Sequence, residues 1–137
     1  MKLIFLSDSF YSAHKGDKEI LEKPERPYVC LTVRIDGHLF AIPFRHHIPH
    51  KHAFMVDGES GLDYTKAVLI LKNDDISDEK PWINSKSFQA IKGKDDAIYR
   101  GMKKFLNLYR KARQYRTNPH YRYILSCTSL LYFDLYI

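Results

Sequence analysis

Residues 45 to 54, RHHIPHKHAF, place four of the chain's seven histidines within seven positions, together with Arg45, Lys51 and Phe54. Three readings fit such a stretch: a metal site, a proton-transfer site, or a solvated loop rich in histidine. His46 and His50 are four apart, a spacing that shares a helix face, but Pro49 opposes a helix, and the stretch has no acid or cysteine to complete a zinc shell. No metal and no cofactor is therefore expected. Proton transfer suits the residues better, because histidine titrates near neutral pH: one ring accepts a proton while another, or a lysine, donates one. Neighbouring cations favour neutral rings, and Arg45 and Lys51 would also neutralise a phosphate in a crowded transition state. RNA brings its own nucleophile, the 2′-hydroxyl, so a protein that deprotonates it and stabilises the pentavalent phosphate needs neither metal nor covalent intermediate. The products are then a 2′,3′-cyclic phosphate and a 5′-hydroxyl. A loop that binds phosphate without chemistry would use the same residues.

A second feature lies toward the C-terminus. Arg100, Lys103, Lys104, Arg110, Lys111, Arg113, Arg116 and Arg122 bring eight positive charges with no acid between them. That exceeds the net charge of +6 for the whole chain, so the remainder is slightly acidic. Tyr109, Tyr115 and Tyr121 interleave with these cations, a pattern suited to a phosphate backbone with rings available for base stacking. A solvated helix face followed by a basic loop gives the same pattern.

The elements that must position these residues read as follows. Residues 2 to 6 form a strand, and Ser7 or Ser9 caps a short helical turn carrying Phe10 and Tyr11. YVCLTVRI alternates and is rich in β-branched residues, Asp36-Gly37 is a type I′ hairpin signal, and HLFAIP completes a second strand. The histidine stretch follows directly; Pro43 and Pro49 make it a loop carried by a rigid hairpin. TKAVLIL reads as a buried strand, NDDISDEKPW as a polar connection and INSKSFQAI as a short strand or irregular segment. Ile98, Met102, Phe105, Tyr109 and Ala112 recur at helical spacing and predict an amphipathic helix from about 95 to 115, with Asp95 and Asp96 suiting its N-terminus. A loop through Asn118-Pro119 leads to a final short helix capped by Ser126 or Thr128.

The whole is one α+β domain, residues 1–137, since 137 residues bury one core but not two. The apolar runs are strand-sized, well short of the roughly 18 residues of a membrane span, and no signal peptide is expected from MKLIFLSDSF. Cys30 and Cys127 show no ligand spacing or disulfide framework, which fits two buried thiols in a reducing cytoplasm.

ERPYVCLTVRIDGHLFAIPFRHHIPHKHAF (25 to 54), followed by GLDYTKAVLI (61 to 70), resembles the core of the type III toxin-antitoxin toxins, the ToxN/AbiQ group and most closely its CptN-like branch. The opening KLIFLSDSFY and the final SLLYFDLYI are also similar, so the resemblance spans nearly the whole chain. It implies a compact antiparallel, partly closed barrel-like sheet of the MazF/Kid-toxin kind, with a long basic helix and a short C-terminal helix. It further implies a metal-independent, sequence-selective endoribonuclease that cuts cellular mRNA and is inhibited by a pseudoknot RNA antitoxin within a closed toxin–RNA hetero-oligomer. The implied role is growth arrest and abortive infection during phage attack, in the cytoplasm, with neither membrane nor DNA as partner. Position by position, Arg45, His46 and His47 fall where the branch reads Arg-Ser-Asn, so His46 replaces the residue that contacts the scissile phosphate. His50 and Lys51 match the following basic pair, with Lys51 as a phosphate contact, and Lys66 matches the lysine of the Gly-Leu-Asp-aromatic-Ser/Thr-Lys motif. Arg26 and Tyr28 match the basic and aromatic positions before the hairpin, and Tyr11 or Phe10 the early aromatic near the RNA groove. The catalytic set so implied is Arg45, His46, His47, Lys51 and Tyr28. RNA contacts are expected from Tyr11, Arg26, His50 and Lys66, and from Arg100, Lys103, Lys104, Arg110, Lys111 and Arg113 of the basic helix. The alternative is a non-catalytic RNA-binding module using the same basic face.

Overall fold

A computed structural model describes residues 1–23 and 27–137. Strand β1 (Leu3–Phe5) leads into helix α1 (Asp8–Ala13), whose first turn is capped by Ser7: its Oγ accepts from the Phe10 N–H at 3.1 Å. Strands β2 (Val29–Ile35) and β3 (His38–Arg45) form the expected hairpin, registered from Ile35↔His38 to Cys30↔Pro43. Both turn residues, Asp36 (φ 52°) and Gly37 (φ 80°), have the positive φ that a type I′ turn demands.

Beyond the hairpin come β4 (Ala53–Met55), β5 (Gly61–Asp63), a 3-10 turn over Tyr64–Lys66, and β6 (Val68–Ile70). The six strands form one antiparallel sheet in the order β1-β2-β3-β5-β4, with β6 also on β3. The sheet is not closed, so the barrel-like closure implied by the resemblance does not form among the described strands. β3 is the shared member: Leu39–Ala41 pair with β6, whereas Phe44 and Arg45 pair with β5. Pro43 lies between those two ladders, where a missing N–H removes no bond on that side. The strand therefore continues past Pro43 instead of ending there, and its last residue, Arg45, forms the end pair of the second ladder, opposite Gly61.

Among the described residues, four helices complete the α+β fold: α1, α2 (Ser85–Ile91), α3 (Asp95–Gln114) and α4 (Pro119–Cys127). INSKSFQAI, expected as a short strand or an irregular segment, instead carries helix α2, because Asn84 Oδ1 accepts from the Ser87 N–H at 2.8 Å and starts a helical turn. α3 matches the predicted span, and its Ile98, Met102, Phe105, Leu106, Tyr109 and Ala112 are buried. It packs against β2, β4 and the 3-10 turn that follows β5. Where a loop was expected at Asn118-Pro119, α4 already begins, with Pro119 in the first turn and Asn118 as its cap. Thr128 caps a 3-10 turn over Ser129–Phe133. Cys30 is buried, but Cys127 is only half-buried, contrary to the expectation of two buried thiols. No described helix is long and apolar enough to cross a membrane.

Candidate functional site

The site is organised around Asp63, the last residue of β5, which is fully buried. The register Arg45↔Gly61 brings Arg45 alongside it, and Arg45 Nη1 donates to Asp63 Oδ2 at 2.8 Å. The other carboxylate oxygen accepts from Thr65 N (3.0 Å) and Thr65 Oγ1 (2.6 Å) and faces His50 Nε2 at 3.1 Å. Burial pushes the Asp63 carboxyl up, but the hydrogen bonds from His50, Thr65 and Arg45 outweigh it and hold the carboxyl below its ordinary range. His50 is bonded on both ring nitrogens, since its Nδ1 accepts from the His52 N–H at 3.0 Å. Its ring proton therefore sits on Nε2 toward Asp63, and no nitrogen remains for exchange with a substrate. His50 anchors the loop.

His46 and His47 face outward. His46 is exposed, with Nδ1 2.6 Å from Ser60 Oγ, and its Nε2 has no partner among the described residues. His47 takes the left-handed conformation (φ 55°) and lies 3.6 Å from the equally exposed Glu59. The two neighbouring rings stand tilted at 55°, their centroids 6.4 Å from each other. His52 packs against Phe105 of α3, and burial, then His50, Lys51 and His120, lower its pKa and favour the neutral ring.

Arg45, His46, Ser60 and Tyr28 line one cleft of about 470 Å³ with Lys23, Lys80, Trp82 and Asn84. Lys23 Nζ lies 4.4 Å from the centre of the Tyr28 ring, a cation–π contact, and Trp82 is 78% exposed, a large ring left mostly uncovered. Such a cleft combines cations, two stacking rings and one histidine with an open nitrogen. Lys51 and His47 are exposed on the loop but are not among the cleft-lining residues.

The other expected contacts divide. Lys66 turns inward, 2.8 Å from Glu19 Oε2 and 2.8 Å from the Cys127 carbonyl oxygen, and so ties the site turn to α1 and α4 flanks rather than offering a free charge. Tyr11 lines a small interior cavity with Cys30 and Lys66, and burial pushes its phenol up. Arg26 lies outside the described residues. On α3, Lys103 and Arg110 both bind Asp36 of the hairpin turn, at 2.7 and 3.1 Å, and Arg113 binds Asp134 at 3.1 Å. Arg100, Lys104 and Lys111 stay exposed and without an acidic partner among the described residues.

Sequence reasoning passed over Asp63, Ser60, Lys23, Lys80 and Trp82. Asp63 stood within the Gly-Leu-Asp motif and Trp82 as the chain's one tryptophan, but neither signal says which loop it will face. The described residues hold no group of three or more histidine, cysteine or acidic side chains placed to share a metal ion. No protein-family model matches the chain, and no curated protein or solved structure does so.

Proposed function

We propose that the protein is a metal-independent endoribonuclease, a toxin of the type III toxin-antitoxin kind, that cuts RNA in the cleft between β3 and the segment carrying Trp82. The observation that carries this reading is the meeting of Arg45, His46, Tyr28 and Trp82 in one groove. In the tautomer with Nδ1–H donating to Ser60 Oγ, His46 Nε2 presents a lone pair to solvent and accepts the 2′-hydroxyl proton. Arg45, fixed by Asp63, keeps its remaining guanidinium donors for the phosphate whose charge grows in the transition state. Tyr28 and Trp82 stack the flanking bases, and Lys23 and Lys80 draw in the backbone. The reading brings with it a MazF/Kid-like kinship of the fold around the twice-paired β3, a pseudoknot RNA as inhibitor, cellular mRNA as substrate, and a cytoplasmic role in growth arrest or abortive infection.

The test incubates the purified protein with unstructured RNA in EDTA and identifies the ends of any fragments. Cyclic phosphate and 5′-hydroxyl ends are expected, and His46→Ala should slow their appearance by about 100-fold or more, the usual contribution of a positioned acid or base. Ser60→Ala, which leaves the ring but not its orienting partner, should slow it less. A second reading, RNA binding without cleavage, is favoured by one observation: His46 is the single histidine lining the cleft, so a partner acid must come from elsewhere. RNA retained intact by both the wild type and His46→Ala would establish that second reading.

A further inference from the structure

A second concave place lies away from the cleft, where α3 ends and α4 begins. Lys111, Tyr115, Thr117, Asn118 and Tyr121 line a shallow dish of about 460 Å³ there, within the range of small-ligand sites. We propose that this corner is a separate binding site for one unpaired nucleotide of RNA, with Tyr115 stacking the base and Lys111 taking its phosphate. The site rests on the reading of the protein as RNA-binding, and it concerns a segment of RNA beyond the one held in the cleft.

Five features support the assignment. Tyr115 is 53% exposed, yet its ring is backed by Tyr121, with centroids 6.0 Å apart at 32°, and Tyr121 is braced in turn by His120 at 5.3 Å. One broad aromatic face is thus held in place and left uncovered, which is what base stacking requires. Lys111, on the last turn of α3, lines the same dish four residues before Tyr115, exposed and without an acidic partner among the described residues. Arg100 and Lys104 continue that stripe toward the start of α3, so a strand leaving the dish meets further cations. The dish also opens at the N-terminal end of α4, where the helix dipole favours an anion. Asn118 uses Oδ1 to cap His120 N–H at 3.0 Å, which leaves its amide N–H groups to meet an acceptor on a base edge.

The test is photo-crosslinking of a short unstructured RNA carrying thiouridine, with the modified peptides mapped by mass spectrometry, beside affinity measurements on Tyr115→Ala, Tyr115→Phe and Lys111→Gln. Adducts on Tyr115 or Tyr121 are expected. Tyr115→Ala should weaken RNA binding about tenfold while Tyr115→Phe retains it, since the ring face and not the hydroxyl carries the contact. Adducts confined to the peptides of Tyr28 and Trp82, or unchanged affinity in Tyr115→Ala, would overturn the site. Fragment ends scored on the same samples separate the two proposals. RNA crosslinked at Tyr115 but never cut keeps this site and removes the nuclease; RNA cut with adducts in the cleft alone does the reverse.

Discussion

Asp63 decides how the histidine loop is held. One buried carboxylate fixes Arg45, His50 and Thr65 at once, so Asp63→Asn removes the charge that three donors were arranged to meet. Breaking a buried pair from one side costs about 3 kcal/mol, and the substitution should lower the urea midpoint accordingly and abolish RNA cleavage along with it. Unchanged stability would show that the three donors find water instead. The same residue sets part of the pH dependence. Its carboxyl is held below the ordinary range in the fold, so its contribution is complete above the unfolded value of about 3.9 and is lost as pH falls through the lowered folded value. His52 acts at higher pH. Its folded pKa is also lowered, here by burial and neighbouring cations, so the unfolded chain binds its proton first and stability declines as pH falls below about 6.5. Urea midpoints should therefore fall in two steps on acidification, and His52→Asn should flatten the upper step alone. A single step near pH 4 in the wild type would exclude that role for His52.

At the scale of elements, α3 is the member that locks the site turn. Tyr64, the residue after Asp63, sends its hydroxyl to the Ile98 carbonyl oxygen at 3.3 Å and lies against Gly101, where a Cβ would run into the Tyr64 ring and hydroxyl. Gly101→Ala gains about 1 kcal/mol of helix propensity but forces overpacking that costs about 1–3 kcal/mol, so a net loss of stability is expected. Calorimetry would check it, with Asn107→Ala on the exposed face of the same helix as the control that should gain slightly. What the sequence made legible follows the range of the interactions. The β2–β3 hairpin depends on Asp36-Gly37 and local alternation, and α3 on the spacing of its own apolar residues; both were readable. The β4–β5 hairpin has three-residue strands, too short for a periodic signal, and α2 depends on the Asn84 cap over a segment whose side chains suit a strand as well. The Arg45–Asp63 pair arises from strand register between residues 18 apart, which no spacing rule within either strand reveals. For the same reason the chain's histidine stretch was visible as a cluster, but its division into an inward anchor, His50, and an outward ring with an open nitrogen, His46, was not.

For the molecule as a whole, the basic run between residues 100 and 122 is less free than its charge count. Asp36 takes up Lys103 and Arg110, and Asp134 takes up Arg113 and Arg116, both acids arriving from outside the run. The acid partners hold α3 to the β2–β3 turn and to the C-terminal segment, so half of the run serves the fold. Arg100, Lys104, Lys111 and Arg122 remain as exposed cations, while Asp8, Asp74, Asp78 and Glu79 gather around a different groove beside α1. On the proposed function, an RNA strand would be drawn to the open cations of α3 and repelled from the α1 side, an orientation supplied by the long-range field before any base is read. Salt dependence separates the two kinds of cation. Each phosphate contact on single-stranded RNA contributes a slope of about −0.7 in log affinity against log salt. Lys104→Gln and Lys111→Gln should each reduce the magnitude of the slope by about 0.7, whereas Lys103→Gln, whose charge is already answered by Asp36, should leave it nearly unchanged. Equal losses from all three would mean that the Asp36 pairing opens when RNA binds, and that the run acts as one electrostatic surface after all.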